Sequence, residues 1–459
     1  MTHSGTLAPV TEEFLREYGA PVFPGALPAR PVRARAAPSA PFALRGSLIL
    51  PESVLPDGYV TIADGSIAAI GAQKPQSVPV YDTGGVILPG LIDLHGHPDY
   101  NVFAPWEPPA IYVNRYAWQA SDEYRAIITQ PHATLKPLGT MLARYAEIRA
   151  LVGGVTAIQG EKRQQAGAGE PLVRNVDLNV LGHQYGASEI FPLRMGAADV
   201  ARVQQALQPE SSTRAWYVHL AEGSASDADS KAELAWLVEH DLLTPKTVII
   251  HGTALDREQL GQVKDAGAKL VWSPQSNLRL YGQTTDAAAA LDLGIPMALG
   301  ADWLPSGSLS LLAELRVARR VLANAGHPVT DRFLVDMVTQ VAARIAGLDD
   351  LLGALAVGRP ADLVVFEARP QADACASVTA ADPSSVLLVF IGGDAVYGRR
   401  SLLDQVSPGV EWESVVAWGN QMGLDTSFAA ESPAQAPLRL TDIRGSLIAH
   451  YPQVGPIFA

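Results

Sequence analysis

The sequence is nearly devoid of cysteine, with Cys375 as the single one in 459 residues. An internal disulfide is therefore impossible, which fits a reducing, cytoplasmic location. A transition metal, if the chain binds one, has to be held by histidines and carboxylates.

Long apolar runs and basic runs are also missing. Charged residues (Glu12, Glu13 and Arg16) stand where a secretion signal needs an apolar core, and the apolar run 386–391 is too short to span a bilayer. The 34 Lys and Arg residues form no basic run, and the net charge is −13. We therefore expect neither nucleic acid nor a membrane as a partner. The expected partners are a small-molecule substrate and further copies of this chain in a homo-oligomer.

What is present is ordinary globular composition, with 48% hydrophobic and 18% charged residues. Residues 1–41 form an arm rich in Pro, Ala and Arg. Short β-rich runs fill residues 42–90, with a hairpin signal at Asp64-Gly65, and they return in residues 351–400. These two flanks predict one composite β domain. Residues 401–459 form a C-terminal extension without an assigned role, with a possible helix near 441–450.

Between the flanks, residues 91–350 alternate between apolar strand candidates and helical stretches. The strand candidates begin near positions 91, 155, 172, 190, 215, 247, 269 and 296. Eight apolar strands with helical crossovers indicate a parallel sheet closed on itself. The predicted fold is α/β, a (β/α)8 TIM-like barrel with a small composite β-sandwich domain built from both of its flanks.

Histidines and an aspartate stand at the ends of the predicted strands. His95 and His97 follow the run Gly90–Leu94, and on an extended chain they point the same way, about 7 Å apart. His219, His251 and Asp302 end three further strands. Active sites of parallel barrels form where strand carboxyl ends converge, so these five residues predict a metal site. A lone histidine would be read as a packed or surface residue, whereas five in one topological position are hard to explain that way.

Glu222 lies three residues after His219, just past a predicted strand end. The loop there can turn its carboxylate back over the site. A desolvated carboxylate beside a metal is suited to carrying protons during hydrolysis. Without His219 beside it, Glu222 would be an ordinary loop glutamate.

Several of these motifs together resemble the amidohydrolase superfamily. They are Leu88-Pro-Gly-Leu-Ile-Asp93 with His95-Gly-His97, His219-Leu-Ala-Glu222, Ile250-His-Gly252, Ser273-Pro-Gln-Ser-Asn277, Leu299-Gly-Ala-Asp302 and Gly358-Arg-Pro-Ala-Asp362. The resemblance covers roughly residues 42–400. It is most similar to the mononuclear-metal branch of hydrolytic deaminases and s-triazine or S-adenosylhomocysteine-type hydrolases.

The resemblance implies a site with one divalent metal ion per chain, zinc in the first place and iron as the alternative. Its ligands would be His95, His97, His219 and Asp302. His251 would orient the metal-activated hydroxide or polarise the substrate, and Glu222 would pass a proton to a substrate nitrogen. The catalytic residues are thus expected to be Glu222, His251 and Asp302.

Two-metal members of this superfamily carry a bridging carboxylated lysine on the fourth strand. The candidate for that strand, 190–195, has no lysine, and Lys162 follows the second strand. One metal is therefore expected. Residues near other strand ends are candidates for substrate binding, namely Trp106, Gln159, Arg174, His183, Gln275 and Trp303.

The functional prediction is a metal-dependent hydrolase acting on a non-peptide C–N bond. Hydrolytic deamination of a small heterocyclic or amidine substrate by a metal-activated hydroxide comes first. Amide or cyclic amide hydrolysis by the same metal site is the alternative. An inactive scaffold or binding protein is a third possibility, but such a protein should have lost its ligands, and here all these positions are filled.

Overall fold

The computed structural model describes residues 40–160, 172–177, 186–189, 191–427, 438–455 and 457. The strands are β1 Phe42–Ile49, β2 Val54–Ala63, β3 Ser66–Gly71, β4 Val80–Pro89, β5 Leu91–Asp93, β6 Val155–Ile158, β7 Arg174–Asn175, β8 Gly186–Glu189, β9 Ala215–Leu220, β10 Thr247–His251, β11 Lys269–Trp272, β12 Met297–Leu299, β13 Leu363–Glu367, β14 Val386–Ile391, β15 Asp394–Arg399, β16 Glu413–Ala417 and β17 Asn420–Leu424.

The helices lie mainly between the strands of the central segment. The α-helices span Arg115–Gln119, Asp122–Tyr124, Gln130–Leu135, Gly139–Val152, Ala197–Leu207, Ala228–Glu239, Arg257–Asp265, Pro274–Tyr281, Ala287–Asp292, Leu311–Asn324, Asp331–Met337, Gln340–Ala346, Ala374–Thr379, Arg400–Val406 and Leu440–His450. A π-helical turn covers Arg125–Thr129, and short 3₁₀ turns cover Pro98–Tyr100, Lys136–Leu138, Pro192–Arg194 and Pro383–Ser385.

Strands from both flanks of the central segment lie in one nine-stranded sheet, in the order β16-β17-β15-β14-β13-β4-β1-β2-β3. The junction is the antiparallel pair of β13 with β4, in which Leu363 lies opposite Pro89 and Phe366 opposite Val86. The extension after residue 400 contributes β16 and β17 to one edge. Both ends of the chain therefore build the same layer beside the central segment.

The central segment contains eight short strands, paired in parallel as β5-β6-β7 and as β8-β9-β10-β11-β12. The expected position of the fourth strand is wrong. Residues 192–194 form a 3₁₀ turn, and the strand is Gly186–Glu189. Pro192 lacks the N–H that a ladder needs, which explains why this apolar stretch does not pair as a strand. β8 also contains no lysine that could bridge two metal ions, so one metal ion is still expected.

Alternate residues of these strands share one buried cluster. It contains Ile92, Leu94, Ala157, Val176, Ala215, Tyr217, Val248, Ile250, Val271 and Ala298, drawn from or directly beside seven of the eight strands. The ends of β12 and β5 are also tied together, because the Asp302 N–H donates to the His95 carbonyl at 2.8 Å and the Ala301 N–H to the Asp93 carboxylate at 3.0 Å. The carboxyl ends of the strands thus converge.

Two of the long helical stretches contain local breaks. The stretch 116–151 is divided by Pro131 and Pro137, each at the start of a new helical turn. The stretch 331–346 is broken at Val338 and Thr339. The possible C-terminal helix is present as Leu440–His450.

Some expectations fall outside the described residues, namely nearly all of the N-terminal arm, Lys162 and His183. Among the described helices, none combines the length and the apolar character needed to cross a membrane.

A buried ion pair joins the central segment to the nine-stranded sheet. Arg174, on β7, donates from Nε to Asp362 Oδ2 at 2.9 Å and from Nη2 to Oδ1 at 3.0 Å. Asp362 also accepts from the Gly392 N–H at 2.6 Å. Both charged side chains are buried. Arg174 was predicted to bind substrate. In the structure its guanidinium group is instead paired with Asp362 and joins the two layers.

Removing one partner of this pair should strongly destabilise the chain, because the other charge is left buried and uncompensated. We expect Arg174→Met to lower the free energy of unfolding by about 3 kcal/mol, measured by urea unfolding. The double variant Arg174→Met/Asp362→Leu should recover part of that loss. The matched control is the exposed pair Arg400–Asp404, where Arg400→Met should cost about 0.5 kcal/mol or less. If the two substitutions lowered the free energy of unfolding equally, the structural role of the Arg174–Asp362 pair would be contradicted.

Candidate active site

Four of the predicted ligands meet at the carboxyl ends of β5, β9 and β12. His95 Nε2 lies 3.0 Å from His219 Nε2, and His219 Nε2 lies 3.3 Å from His97 Nε2. Asp302 Oδ1 lies 3.3 Å from His95 Nε2 and 3.5 Å from His97 Nε2. His95, His219 and Asp302 are buried. The four potential ligand atoms therefore face one point.

The spacing of these atoms suits a tetrahedral metal ion. Ligand atoms bound to zinc at about 2.0–2.1 Å in tetrahedral geometry lie about 3.3 Å from one another, and the four observed separations run from 3.0 to 3.5 Å. Three imidazoles and one carboxylate are a donor set for zinc or another first-row transition metal. The residues present fit a metal ion.

The protonation of the histidines also fits metal binding. Burial lowers the pKa of His95, His219 and His251 well below 6.5, and the neighbouring imidazoles lower it further. They are neutral, which is the ligating form. The other ring nitrogen of His95, Nδ1, lies 2.7 Å from Ser273 Oγ. A proton on Nδ1 donated to Ser273 leaves the Nε2 lone pair free for the metal.

Backbone strain is concentrated at the same place. Ala221, His251 and Asp302 all have left-handed backbone angles, with φ of 51°, 72° and 62°. Non-glycine residues rarely adopt this conformation, and it persists where the surrounding structure imposes it. It turns the chain sharply after β9, β10 and β12, so that side chains past the strand ends return over the site. This is the turn that the sequence argument needed for Glu222.

A relay of hydrogen bonds sets the tautomer of His251. Trp272 Nε1 donates to Thr284 Oγ1 at 2.7 Å, and Thr284 donates to Asn277 Oδ1 at 3.2 Å. With its oxygen so occupied, Asn277 presents its amide nitrogen to His251 Nδ1 at 2.9 Å. The His251 proton then sits on Nε2, 3.6 Å from Glu222 Oε2. His251 therefore directs an N–H donor, and not a lone pair, towards the site. One of its ring nitrogens also lies within 4.8 Å of the ligand atoms of His95 and His219.

Glu222 is held beside this histidine in a dry pocket. Tyr281 donates to its Oε1 at 2.6 Å, and Trp118 Nε1 donates to the Tyr281 hydroxyl at 2.8 Å. Arg115 Nη1 lies 3.9 Å from its Oε2. Burial raises the pKa of Glu222 to about 8, against the opposing effects of Arg115 and the Tyr281 hydrogen bond. A protonated carboxyl near neutral pH can give a proton to a bound substrate.

Aromatic side chains wall the cavity above the ligands. The cavity, together with its opening to solvent, comprises about 440 Å³ of empty space. It is lined by His97, Tyr100, Trp118, Gln119, Tyr124, His219, Glu222, His251, Asp302 and Trp303. Trp118 stacks on Trp303 with ring centroids 5.5 Å apart. The amide oxygen of Gln119 is buried without a hydrogen-bond partner in the described part of the chain. The walls suit a flat ring, and Gln119 can accept one of its N–H groups.

Of the six predicted substrate-binding residues, the structure brings Trp303 into this cavity. Trp106 packs behind the wall, with its ring centroid 6.4 Å from that of Trp118. Gln159 donates to both oxygens of Asp177, and the Gln275 backbone N–H donates to Glu314. These three residues, like Arg174, are not among the residues lining the cavity, and His183 lies outside the described residues.

Sequence reasoning assigned no role to Tyr281, Asn277, Ser273, Trp118 and Tyr124. Ser273 and Asn277 belong to the motif Ser-Pro-Gln-Ser-Asn that carried the family resemblance, so a signal for them existed. Trp118 and Tyr281 gave none, because they are distant in sequence and meet through the fold.

Comparison with known proteins agrees with the motifs. The amidohydrolase family model matches residues 211–396. The 5-methylthioadenosine/S-adenosylhomocysteine deaminase of Haloquadratum walsbyi is 26% identical over 326 residues, which cover 62% of this chain and 71% of that protein.

Two solved structures share the fold. The adenosine deaminase of Xanthomonas campestris with bound zinc has a TM-score of 0.62 and 20% identity, covering 80% of this chain and 96% of that one. The atrazine chlorohydrolase of Arthrobacter aurescens TC1, complexed with zinc, has a TM-score of 0.63 and 18% identity, covering 89% and 99%. At these identities the likeness indicates a TIM-barrel-type α/β fold. These matches confirm the resemblance to the amidohydrolase superfamily that was drawn from the motifs.

A third buried carboxyl group, that of Glu314, stands behind the site. It accepts the Gln275 N–H at 3.0 Å and a hydrogen bond from Ser308. Burial raises its pKa to about 8, and the nearby Asp93 and Asp302 add to the shift. Between pH 4.5 and 8 the folded chain therefore holds a proton that the unfolded chain releases.

Because the folded chain keeps this proton and the unfolded chain releases it, the free energy of unfolding falls as the pH rises through that window. The isosteric variant Glu314→Gln keeps an acceptor for Gln275 and removes the titration. Its stability relative to the parent should therefore increase from pH 5 to pH 8, by on the order of a few kcal/mol, as measured by urea unfolding at both values. A pH-independent difference would show that Glu314 is ionised in the folded chain.

Proposed function

We propose that this chain is a metal-dependent hydrolase of carbon–nitrogen bonds other than peptide bonds, and that it deaminates a small planar heterocycle or amidine. The observation that carries the proposal is the position of Glu222. It lies beside the four-ligand cluster, with its carboxyl group held by Tyr281 inside an aromatic-walled cavity. This arrangement provides a proton donor where the nitrogen of a flat substrate would lie.

His95, His97, His219 and Asp302 would hold one divalent ion, with zinc favoured by the donor set and by the zinc in the two solved relatives. When bound, such an ion lowers the pKa of a water molecule towards neutrality and so supplies hydroxide.

The remaining chemistry belongs to the side chains. Trp118 and Trp303 position the ring, and the Gln119 oxygen accepts one of its N–H groups. Asp302 accepts the proton of the attacking water, and Glu222 gives its proton to the ring or amidine nitrogen. His251, with its proton on Nε2, donates to the oxygen that has added. Asp302 then passes the proton it took from water to the amino nitrogen, so that the C–N bond breaks and ammonia leaves. The added hydroxyl returns its proton to Glu222, and the carbon that carried the amino group becomes a carbonyl.

The fold around the site completes the proposal. We infer that β5–β12 close into a (β/α)8 barrel, supported by the shared inner cluster and by the bonds between the ends of β12 and β5. The nine-stranded sheet would curl into a sandwich around the buried side chains of β1, β2, β13 and β14. Residues 91–350 would then be the catalytic domain, with 42–90 and 351–400 as the two parts of the β domain.

Amide or cyclic amide hydrolysis is the second candidate. The same ligands and the same proton donor can act on an acyl carbon, because both reactions pass through a tetrahedral centre. The aromatic walls favour the deaminase, since a flat ring packed against the Trp118–Trp303 pair presents its exocyclic group edge-on to the ligands.

The test is a substrate screen with ammonia detection. Purified protein supplied with zinc should release ammonia from at least one member of a panel of aminopurines, their nucleosides, aminotriazines, pterins and guanidines. A parallel panel of cyclic amides is followed by ring opening. Ring opening without ammonia release would replace the proposal by the second candidate.

Metal content should separate the enzyme from an inactive scaffold. We expect about one zinc or iron ion per chain by elemental analysis, because the four donor atoms fit a single ion. Chelation should abolish ammonia release, and added zinc should restore it. The variant His219→Ala should lose most of the metal. His240→Ala, at a partly exposed histidine just after the helix Ala228–Glu239, should retain it. Less than a tenth of an ion per chain, unchanged by added zinc, would contradict the proposal.

Proton transfer can be tested without disturbing the metal. Glu222→Gln preserves the shape and the Tyr281 contact but removes the proton donor, so we expect kcat to fall by a factor of about 10² to 10⁴ with unchanged metal content. The matched control is Glu239→Gln, at the exposed end of the helix Ala228–Glu239, which should keep the parent rate. Full activity of Glu222→Gln would refute the role of this residue.

A further inference from the structure

The C-terminal segment Leu440–Gly455 packs against the loop that begins directly after His97. The Tyr451 ring contacts the Phe103 ring edge to face, with centroids 5.3 Å apart. The Gly455 N–H donates to the Val102 carbonyl at 3.3 Å, and Tyr145 donates to the Gly455 carbonyl. The end of the segment is thus fastened to the loop by a ring contact and by its backbone.

The opposite end of the segment is fastened to the nine-stranded sheet. Glu413, on β16, accepts the N–H groups of Leu440 and Thr441 at 2.9 and 3.0 Å, and these begin the helix Leu440–His450. Ile443 and Leu447 bury the inner face of the helix. The segment is therefore anchored independently of the loop that it touches.

From Phe103 a row of rings continues to the cavity. Phe103 lies 6.5 Å from His132 and 6.1 Å from Tyr100, and His132 stacks on Tyr100 at 4.4 Å with an interplanar angle of 12°. Tyr100 lines the cavity and meets Trp303 edge to face at 5.6 Å. Close-packed rings transmit a displacement because none can move without its neighbours. The position of Tyr100 therefore depends on the ring behind Phe103.

We infer that Tyr451 is a positioning residue for substrate binding, acting through Phe103 and His132 on the Tyr100 wall of the cavity. The segment that carries it belongs to the binding site in function, although none of its residues lines the cavity. The contacts that fasten it to the loop lie at Val102 and Phe103 and not at the metal ligands, so we expect its effect to fall on substrate affinity and not on metal binding. The kinetic part of this inference rests on the proposed function.

The experiment compares Tyr451→Ala with Tyr451→Phe, which keeps the ring, and with Ile448→Ala, which removes an exposed side chain from the same helix. For Tyr451→Ala we expect KM to rise about two- to twelvefold, the range set by the loss of one aromatic pair. Its kcat should stay within about twofold and its metal content should not change. Tyr451→Phe and Ile448→Ala should match the parent in all three quantities.

Hydrogen exchange provides a readout that needs no substrate. Peptides covering residues 98–106 should exchange faster in Tyr451→Ala and at the parent rate in the other two variants. Faster exchange in a chain that turns over no member of the panel would overturn the proposed function and leave the positioning contact standing. Unchanged exchange and unchanged KM in a folded Tyr451→Ala would overturn the inference, as would a loss of metal that accounts for the change.

Discussion

The structure depends on four electron-pair donors directed at one point in a dry interior. His95, His219 and Asp302 are buried, and neutral imidazoles with a carboxylate leave lone pairs that face each other at 3.0–3.5 Å. Such a cluster is unfavourable unless a cation occupies its centre. The left-handed backbone at His251 and Asp302 and the bonds that join the ends of β5 and β12 hold the donors in place. Folding and metal binding are therefore linked in this chain, since the cation offsets the free energy spent in bringing the donors together.

Around this centre, His95, His251 and Glu222 are each held by a hydrogen bond from a neighbouring side chain. Ser273 Oγ lies within hydrogen-bond distance of His95 Nδ1, and the relay through Thr284 and Asn277 fixes the tautomer of His251. Tyr281 fixes the orientation of Glu222. All three supports lie on or beside one stretch, residues 273–285. A single helix and its following loop thus carry the hydrogen-bond partners of His95, His251 and Glu222.

The sequence was informative where chemistry and periodicity coincide. His95, His97, His219 and Asp302 stand next to apolar strands, so the strand pattern alone placed them at one edge of a parallel sheet. The position of the fourth strand was mistaken because 190–195 is apolar, although Pro192, which lacks a ladder N–H, already argued against a strand there. Most residues that line the cavity were missed for another reason. Trp118, Tyr124 and Tyr281 reach the cavity from broken helices and loops, and no residue spacing encodes such tertiary meetings.

Trp118 both lines the cavity and supports, through its N–H, the residue that holds Glu222. Its face forms the cavity wall against Trp303, while its indole N–H supports the Tyr281 hydroxyl that holds Glu222. The indole N–H of Trp303 donates to Ser306 and not to a group that holds the proton donor. A chain under selection for a new substrate can therefore vary the wall at Tyr100 or Trp303 and keep its chemistry. Any change at Trp118 would alter recognition and reactivity together, so substrate range in this lineage should diverge along one side of the cavity and stay constant along the other.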